Sequence, residues 1–119
     1  MKSYTELNVW REARALVKVI YLASSTFPPE EKYGLISQLR RSAISVPSNI
    51  AEGIGRNHVK DSIQFLYIAK GSLNELETQI YLCLDLDLCT QEQTNSIFEN
   101  IITVRKLLIG FIKYMETKK

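Results

Sequence analysis

Apolar side chains recur along this chain at helical spacing. In the first periodic segment Trp10, Ala13, Val17 and Ile20 form a stripe flanked by Val9, Leu16 and Tyr21, while Arg11, Glu12, Arg14 and Lys18 lie away from it. That pattern predicts an amphipathic helix over about residues 6–24. It ends before Ser24-Ser25-Thr26-Phe27-Pro28-Pro29, where two prolines halt one helix and can open the next. Glu30 and Glu31 follow, with charges suited to a helix N-terminus, so the second helix is predicted to start near Pro29.

Along that helix Leu35, Leu39, Ala43, Val46, Ile50 and Ile54 hold one apolar face straight past Pro47. An interior proline removes one backbone hydrogen bond and costs about 3 kcal/mol, so the unbroken face predicts a kink within one helix. Gly53 and Gly55 mark its exit, and Asn57 is the expected N-cap of the third helix. There Leu66, Ala69, Leu73, Leu76, Ile80 and Cys83 continue the helical spacing over about residues 58–86, with Gly71 in the middle. A mid-helix glycine costs about 1 kcal/mol relative to alanine, and close packing against a neighbouring backbone is the expected reason for it. Thr90 with Gln93 reads as a capping box, after which Ile97, Ile101, Val104, Leu108, Phe111 and Met115 alternate by four and three. Four such helices with short connections predict an all-α fold: an antiparallel up-down-up-down four-helix bundle with a proline kink in its second helix, one domain over residues 1–119. The fourth helix also carries Phe98, Ile102, Ile109 and Ile112. Either a partner surface or a bundle that surrounds much of this helix accounts for so wide an apolar face.

Composition narrows the function classes. Hydrophobic residues make up 45% and charged residues 24%, which excludes a disordered or fibrous chain. No apolar run approaches the roughly 18–20 residues that span a bilayer, and Met1 to Trp10 lacks the signature of a secretory signal, so the expected location is cytoplasmic, with no membrane partner. Cys83 and Cys89 are the only cysteines; they support neither a disulfide framework nor a four-cysteine zinc site and read as reduced, buried thiols.

The chain offers little for catalysis. Bundles that hold carboxylate-bridged metals use Glu-x-x-His pairs; none occurs here, and the one histidine, His58, reads as a solvated surface residue near a helix start. Gly53-Ile54-Gly55-Arg56 lacks the lysine of a phosphate-binding loop, and no serine sits in a nucleophile-elbow context. The reading is therefore a non-enzymatic protein with no metal and no cofactor.

A polar stripe on the second helix is more informative: Gln38, Arg41, Ser45, Ser48, Asn49, Glu52 and Arg56 recur at three and four. Ser72, Glu75 and Gln79 form a comparable line on the third helix, so Arg41, Asn49, Glu52, Ser72 and Glu75 are expected to make structural polar contacts, Arg41 pairing with Glu75. Lys and Arg total 15 against 13 Asp and Glu, so a basic patch must come from clustering. Arg40, Arg56, Lys60 and Lys70 are the candidate nucleic-acid contacts, and Glu75, Glu77, Asp85 and Asp87 mark an acidic end.

Specific stretches extend this reading. Leu7-Asn8-Val9-Trp10, Phe27-Pro28-Pro29-Glu30-Glu31-Lys32-Tyr33-Gly34-Leu35, Gln38-Leu39-Arg40-Arg41-Ser42-Ala43, Val46-Pro47-Ser48-Asn49-Ile50-Ala51-Glu52-Gly53 and Gly71-Ser72-Leu73-Asn74-Glu75-Leu76-Glu77 span most of the chain. Together they resemble the four-helix-bundle proteins encoded in intervening sequences of bacterial 23S rRNA genes. That family includes the accessory variability proteins of diversity-generating retroelements. The resemblance implies a homopentamer that binds RNA or DNA through basic surfaces and engages a reverse transcriptase. Where members often have a glycine closing the third helix, this chain reads Asp85-Leu86-Asp87-Leu88-Cys89. The leading expectation is a homo-oligomeric nucleic-acid-binding module; the alternative is a scaffold that docks a partner protein through the fourth helix and the acidic end.

Overall fold

A computed structural model describes residues 3–119; Met1 and Lys2, part of the expected domain, lie outside the described residues. Four α-helices follow one another: α1 (Asn8–Ser24), α2 (Leu35–Ile54), α3 (Val59–Asp85) and α4 (Gln91–Glu116), with short 3-10 turns at Tyr4–Glu6 and Pro29–Glu31. Each helix packs on two neighbours, α1 and α3 both lying against α2 and α4, so the chain closes an antiparallel four-helix bundle. Among the described residues no helix is long and apolar enough to cross a membrane.

The core follows the apolar stripes. Ala13, Leu16 and Ile20 of α1, Leu39, Ala43, Val46 and Ile50 of α2, Leu66, Leu73, Leu76 and Ile80 of α3, and Ile101, Val104 and Leu108 of α4 are all fully buried. Two stripes drift from their expected course. On α1 Val9 and Leu16 join Ala13 and Ile20 in the buried set, and Trp10 and Val17 are half-buried at the groove facing α2. On α4 the stripe passes from Leu108 to Ile112, leaving Phe111 and Met115 half-buried, because a straight helix slips about 20° per heptad against a strict seven-residue repeat.

Several boundaries differ from expectation. The second helix does not start at Pro29: the 3-10 turn at Pro29–Glu31 is followed by Gly34, and α2 begins at Leu35, whose amide donates to Glu31 Oε1 at 3.2 Å. The acidic side chain thus caps α2 from outside the helix. α2 then runs unbroken through Pro47. His58, not Asn57, is the N-cap of α3, and its side chain makes no capping hydrogen bond. The Thr90–Gln93 capping box at the start of α4 is present in both directions.

Glycine placement needs one correction. Nothing lies within 4 Å of where a Cβ on Gly71 would stand, so no neighbouring backbone in the bundle requires that glycine. The close approach occurs at Gly53, where an added Cβ would sit 3.0 Å from the Ser62 carbonyl oxygen and 3.1 Å from Phe65 Cβ. Gly53 lets the first turns of α3 press directly on the end of α2.

The α3–α4 turn solves a related problem without glycine. Leu88 N–H donates to Cys83 O at 2.8 Å and Asp87 N–H to Leu84 O at 3.1 Å, the paired bonds of a Schellman closure. That closure requires a left-handed residue, and Asp87 supplies it with φ 58°. Aspartate tolerates this region better than most residues but less well than glycine.

Substitutions at these two sites are expected to act in opposite directions. In urea denaturation, Gly53→Ala lowers the unfolding free energy by about 1–3 kcal/mol, because the obstructing atom is a backbone oxygen. Asp87→Gly raises it by about 1 kcal/mol by relieving the left-handed strain.

Candidate nucleic-acid interface

The polar stripes of α2 and α3 meet as a hydrogen-bonded seam. Arg41 Nη2 donates to Glu75 Oε2 at 2.9 Å and to Gln38 Oε1 at 2.8 Å, while the buried Ser42 hydroxyl donates to Glu75 Oε1 at 3.0 Å. The Ser45 and Ser72 hydroxyls share a bond of 2.8 Å across the helices. Both members of the Arg41–Glu75 pair stay partly exposed, so it fixes how the helices align more than it adds stability, a pair of this kind contributing about 0–1 kcal/mol. Asn49 and Glu52 do not bond across the seam as expected. Asn49 Nδ2 donates back to Ser45 O at 2.8 Å, and Glu52 pairs with Arg56 one turn on, at 2.6 Å. A second clamp had no counterpart in the sequence reading: Arg105 of α4 grips Glu77 through two bonds of 3.1 Å and reaches Asn74 at 3.0 Å.

The four candidate cations do not form one cluster. Arg56 and Lys60 flank the α2–α3 turn at one end of the bundle. Lys70 lies roughly 15 Å along α3 from Lys60 by helical rise, with its ammonium 5.9 Å from the Tyr67 ring centre. Arg40 faces α1 instead: its guanidinium lies 4.4 Å from the Tyr21 ring centre, and its Nε donates to the buried Ser24 hydroxyl at 3.0 Å. Near the last turn of α1 a cation also complements the helix dipole, so Arg40 acts as a tie between α1 and α2.

Cations seated on aromatic rings are the recurring element of this surface. Arg56 lies 4.5 Å from the centre of Phe65, Arg14 5.6 Å from Trp10, and Lys118 4.9 Å from Tyr114. Trp10 in turn meets Tyr4 edge-on at 5.3 Å. Tyr4, Trp10, Arg14, Val17, Ile44 and Pro47 line a groove of about 320 Å³ between α1 and α2. It joins, through Tyr4, Ser48 and Ala51, a second depression of about 440 Å³ lined at its far side by the Glu52–Arg56 pair. The sequence has no run of alternating basic and aromatic residues; the fold assembles one from separate helices. Arg14, one helical turn from Trp10, lines this groove although it was not among the candidate residues of the sequence.

Charge separates along the bundle. Arg56, Lys60, Lys113, Lys118 and Lys119 lie at the end formed by the α2–α3 turn and the close of α4, where they outnumber Glu52, Asp61 and Glu116. Glu30, Glu31, Asp85, Asp87 and Glu92 lie at the opposite end. Cys83 and Cys89 also belong to that far end, both buried in the core; burial pushes the Cys83 thiol up to about 12 and raises that of Cys89. Among the described residues no group of three or more His, Cys, Asp or Glu side chains is placed to hold a metal ion.

Comparison with known proteins agrees with this architecture. The model of the family described as 23S rRNA-intervening sequence protein matches residues 5–110. A crystal structure of a protein of unknown function from the S23 ribosomal protein family of Bacteroides thetaiotaomicron superposes with a TM-score of 0.79 at 28% identity, covering 88% of this chain and 98% of that one. No curated protein matches the chain.

Two measurements probe these assignments. Arg40→Ala lowers stability by about 1–2 kcal/mol through lost packing and hydrogen bonding, whereas Lys60→Ala leaves the urea midpoint unchanged. The raised Cys83 thiol favours the protonated form in the folded state, so above pH 9 the unfolded chain ionises first and stability falls, by up to roughly 1.4 kcal/mol per pH unit toward pH 12. In Cys83→Ala that alkaline slope is flatter.

Proposed function

Since the chain belongs to the 23S rRNA-intervening sequence protein family, we propose that it is a non-enzymatic module that binds an RNA or DNA strand. The observation that carries this reading is the row of cations resting on aromatic rings, from Trp10 and Arg14 along the α1–α2 groove to Arg56. Single strands are held by this combination of stacking faces and phosphate-seeking cations, which tolerates any base sequence. Lys60 and Lys70 of α3 are the further cations this reading assigns to phosphate contacts, while Arg40 ties α1 to α2.

The module acts as a homo-oligomer in this reading, a pentamer if it follows the resemblance, and works in the cytoplasm. The exposed apolar side chains of α3 and its C-cap support self-association: Tyr67, Ile68, Tyr81, Leu82 and Leu86 are each between 44% and 60% exposed, more than a lone subunit needs to leave in water. A second reading, a scaffold for a partner protein such as a reverse transcriptase, draws support from the acidic end and from Ile102 of α4, which is 46% exposed.

Fluorescence anisotropy with a short single-stranded RNA at about 50 mM salt tests the leading reading. Binding weakens as salt rises, and Lys60→Glu and Lys70→Glu each lower affinity about tenfold and flatten the salt dependence. Absence of binding at low salt, or variants that bind like the original chain, would sink the nucleic-acid role and favour the scaffold. Light scattering that gives a monomer at micromolar concentration would remove self-association.

A further inference from the structure

The basic end of the bundle carries a half-open cavity of about 570 Å³ that shares only Arg56 with the polar groove. Its walls come from three places: Leu7 ahead of α1, Ile54 and Val59 on either side of the α2–α3 turn, and Phe111 and Met115 on the last turns of α4. Each of these apolar side chains is only half-buried, although each faces inward between helices. The drift of the α4 stripe explains why: Ile112 takes the core position, and Phe111 and Met115 turn to the cavity wall. Tyr114 stacks beside Phe111 with ring centres 6.1 Å apart and extends the wall to the rim.

The only charged residues on the lining are cations, Arg56 and Lys118. Arg56 gives one of its five N–H donors to Glu52, and Lys118 makes no ion pair among the described residues. An apolar chamber of this size with a few convergent polar groups is the usual form of a small-molecule site. The sign of the rim selects the ligand: an apolar body enters between Phe111, Val59 and Ile54, and an acidic head stays at the mouth, where a planar guanidinium suits a carboxylate. We propose that this end cavity binds a small amphipathic carboxylate, a fatty or aryl acid, one per chain.

Decanoate is the probe, with decanol as its uncharged counterpart. The chain has two methionines, Met1 and Met115, so methyl-labelled methionine gives a direct reporter in the cavity wall. Titration of the full-length protein shifts the Met115 methyl signal in a saturable manner. Lys118→Gln, a change in the exposed final residues that leaves the bundle intact, weakens decanoate binding about tenfold, and Arg56→Gln with Lys118→Gln weakens it further. Binding of decanol is unaffected by either change and weaker than that of decanoate in the original chain. The proposal fails if the Met115 signal does not move, if decanol binds as tightly as decanoate, or if both variants bind decanoate unchanged. Lys118 is not among the cations assigned to nucleic acid, so loss of RNA binding in the anisotropy experiment leaves this result independent.

Discussion

The contact between Gly53 and the Ser62 backbone sets the geometry on which the rest of the functional end depends. Helices normally stand 8–10 Å apart, held off by their side chains. At Gly53 the missing Cβ lets α3 settle against α2 immediately after a turn of four residues, Gly55 to His58. That closeness brings Arg56 onto Phe65 and places Val59 opposite the end of α4. The serine-lined seam above it, where Ser45 meets Ser72, continues the same close track with hydroxyls that bond instead of colliding. A larger residue at 53 would move every one of these groups together.

Periodicity made the bundle legible. The α3 stripe from Leu66 to Cys83 and the α4 stripe from Ile97 to Leu108 are buried as spaced, because burial on one face is what their pattern encodes. The Arg41–Glu75 pair was legible for a similar reason: both residues stand on polar lines of adjacent antiparallel helices. Less was legible where a local choice depended on three-dimensional neighbours. Whether a glycine is needed for packing is decided by the opposing backbone, so Gly53 and Gly71 could not be told apart from sequence. The start of α2 was displaced because Glu31, read as an early helical residue, caps the helix from outside.

The candidate interface was the least legible part, and the reason is physical. Net charge reports a sum, whereas binding of a strand depends on where single cations stand and on what supports them. Arg40 and Arg56 read alike in sequence, both basic and both on α2 or its exit. In the fold one ties α1 to α2 and the other stands at the rim of two depressions. Arg14 looked like a solvent-facing residue of an amphipathic helix, and it became part of the groove because Trp10 lies one turn before it at the edge of the bundle.

Segregation of charge toward opposite ends of a body 45 Å long and 24 Å wide has a consequence for motion as well as for binding. Such a molecule carries a permanent dipole along its long axis, with Arg56, Lys60 and Lys118 at the positive pole and Asp85, Asp87 and Glu92 at the negative. In the field of a polyanion it feels a torque before it feels a contact. Approach to such a field would be oriented, positive end first, even though the total charge nearly cancels.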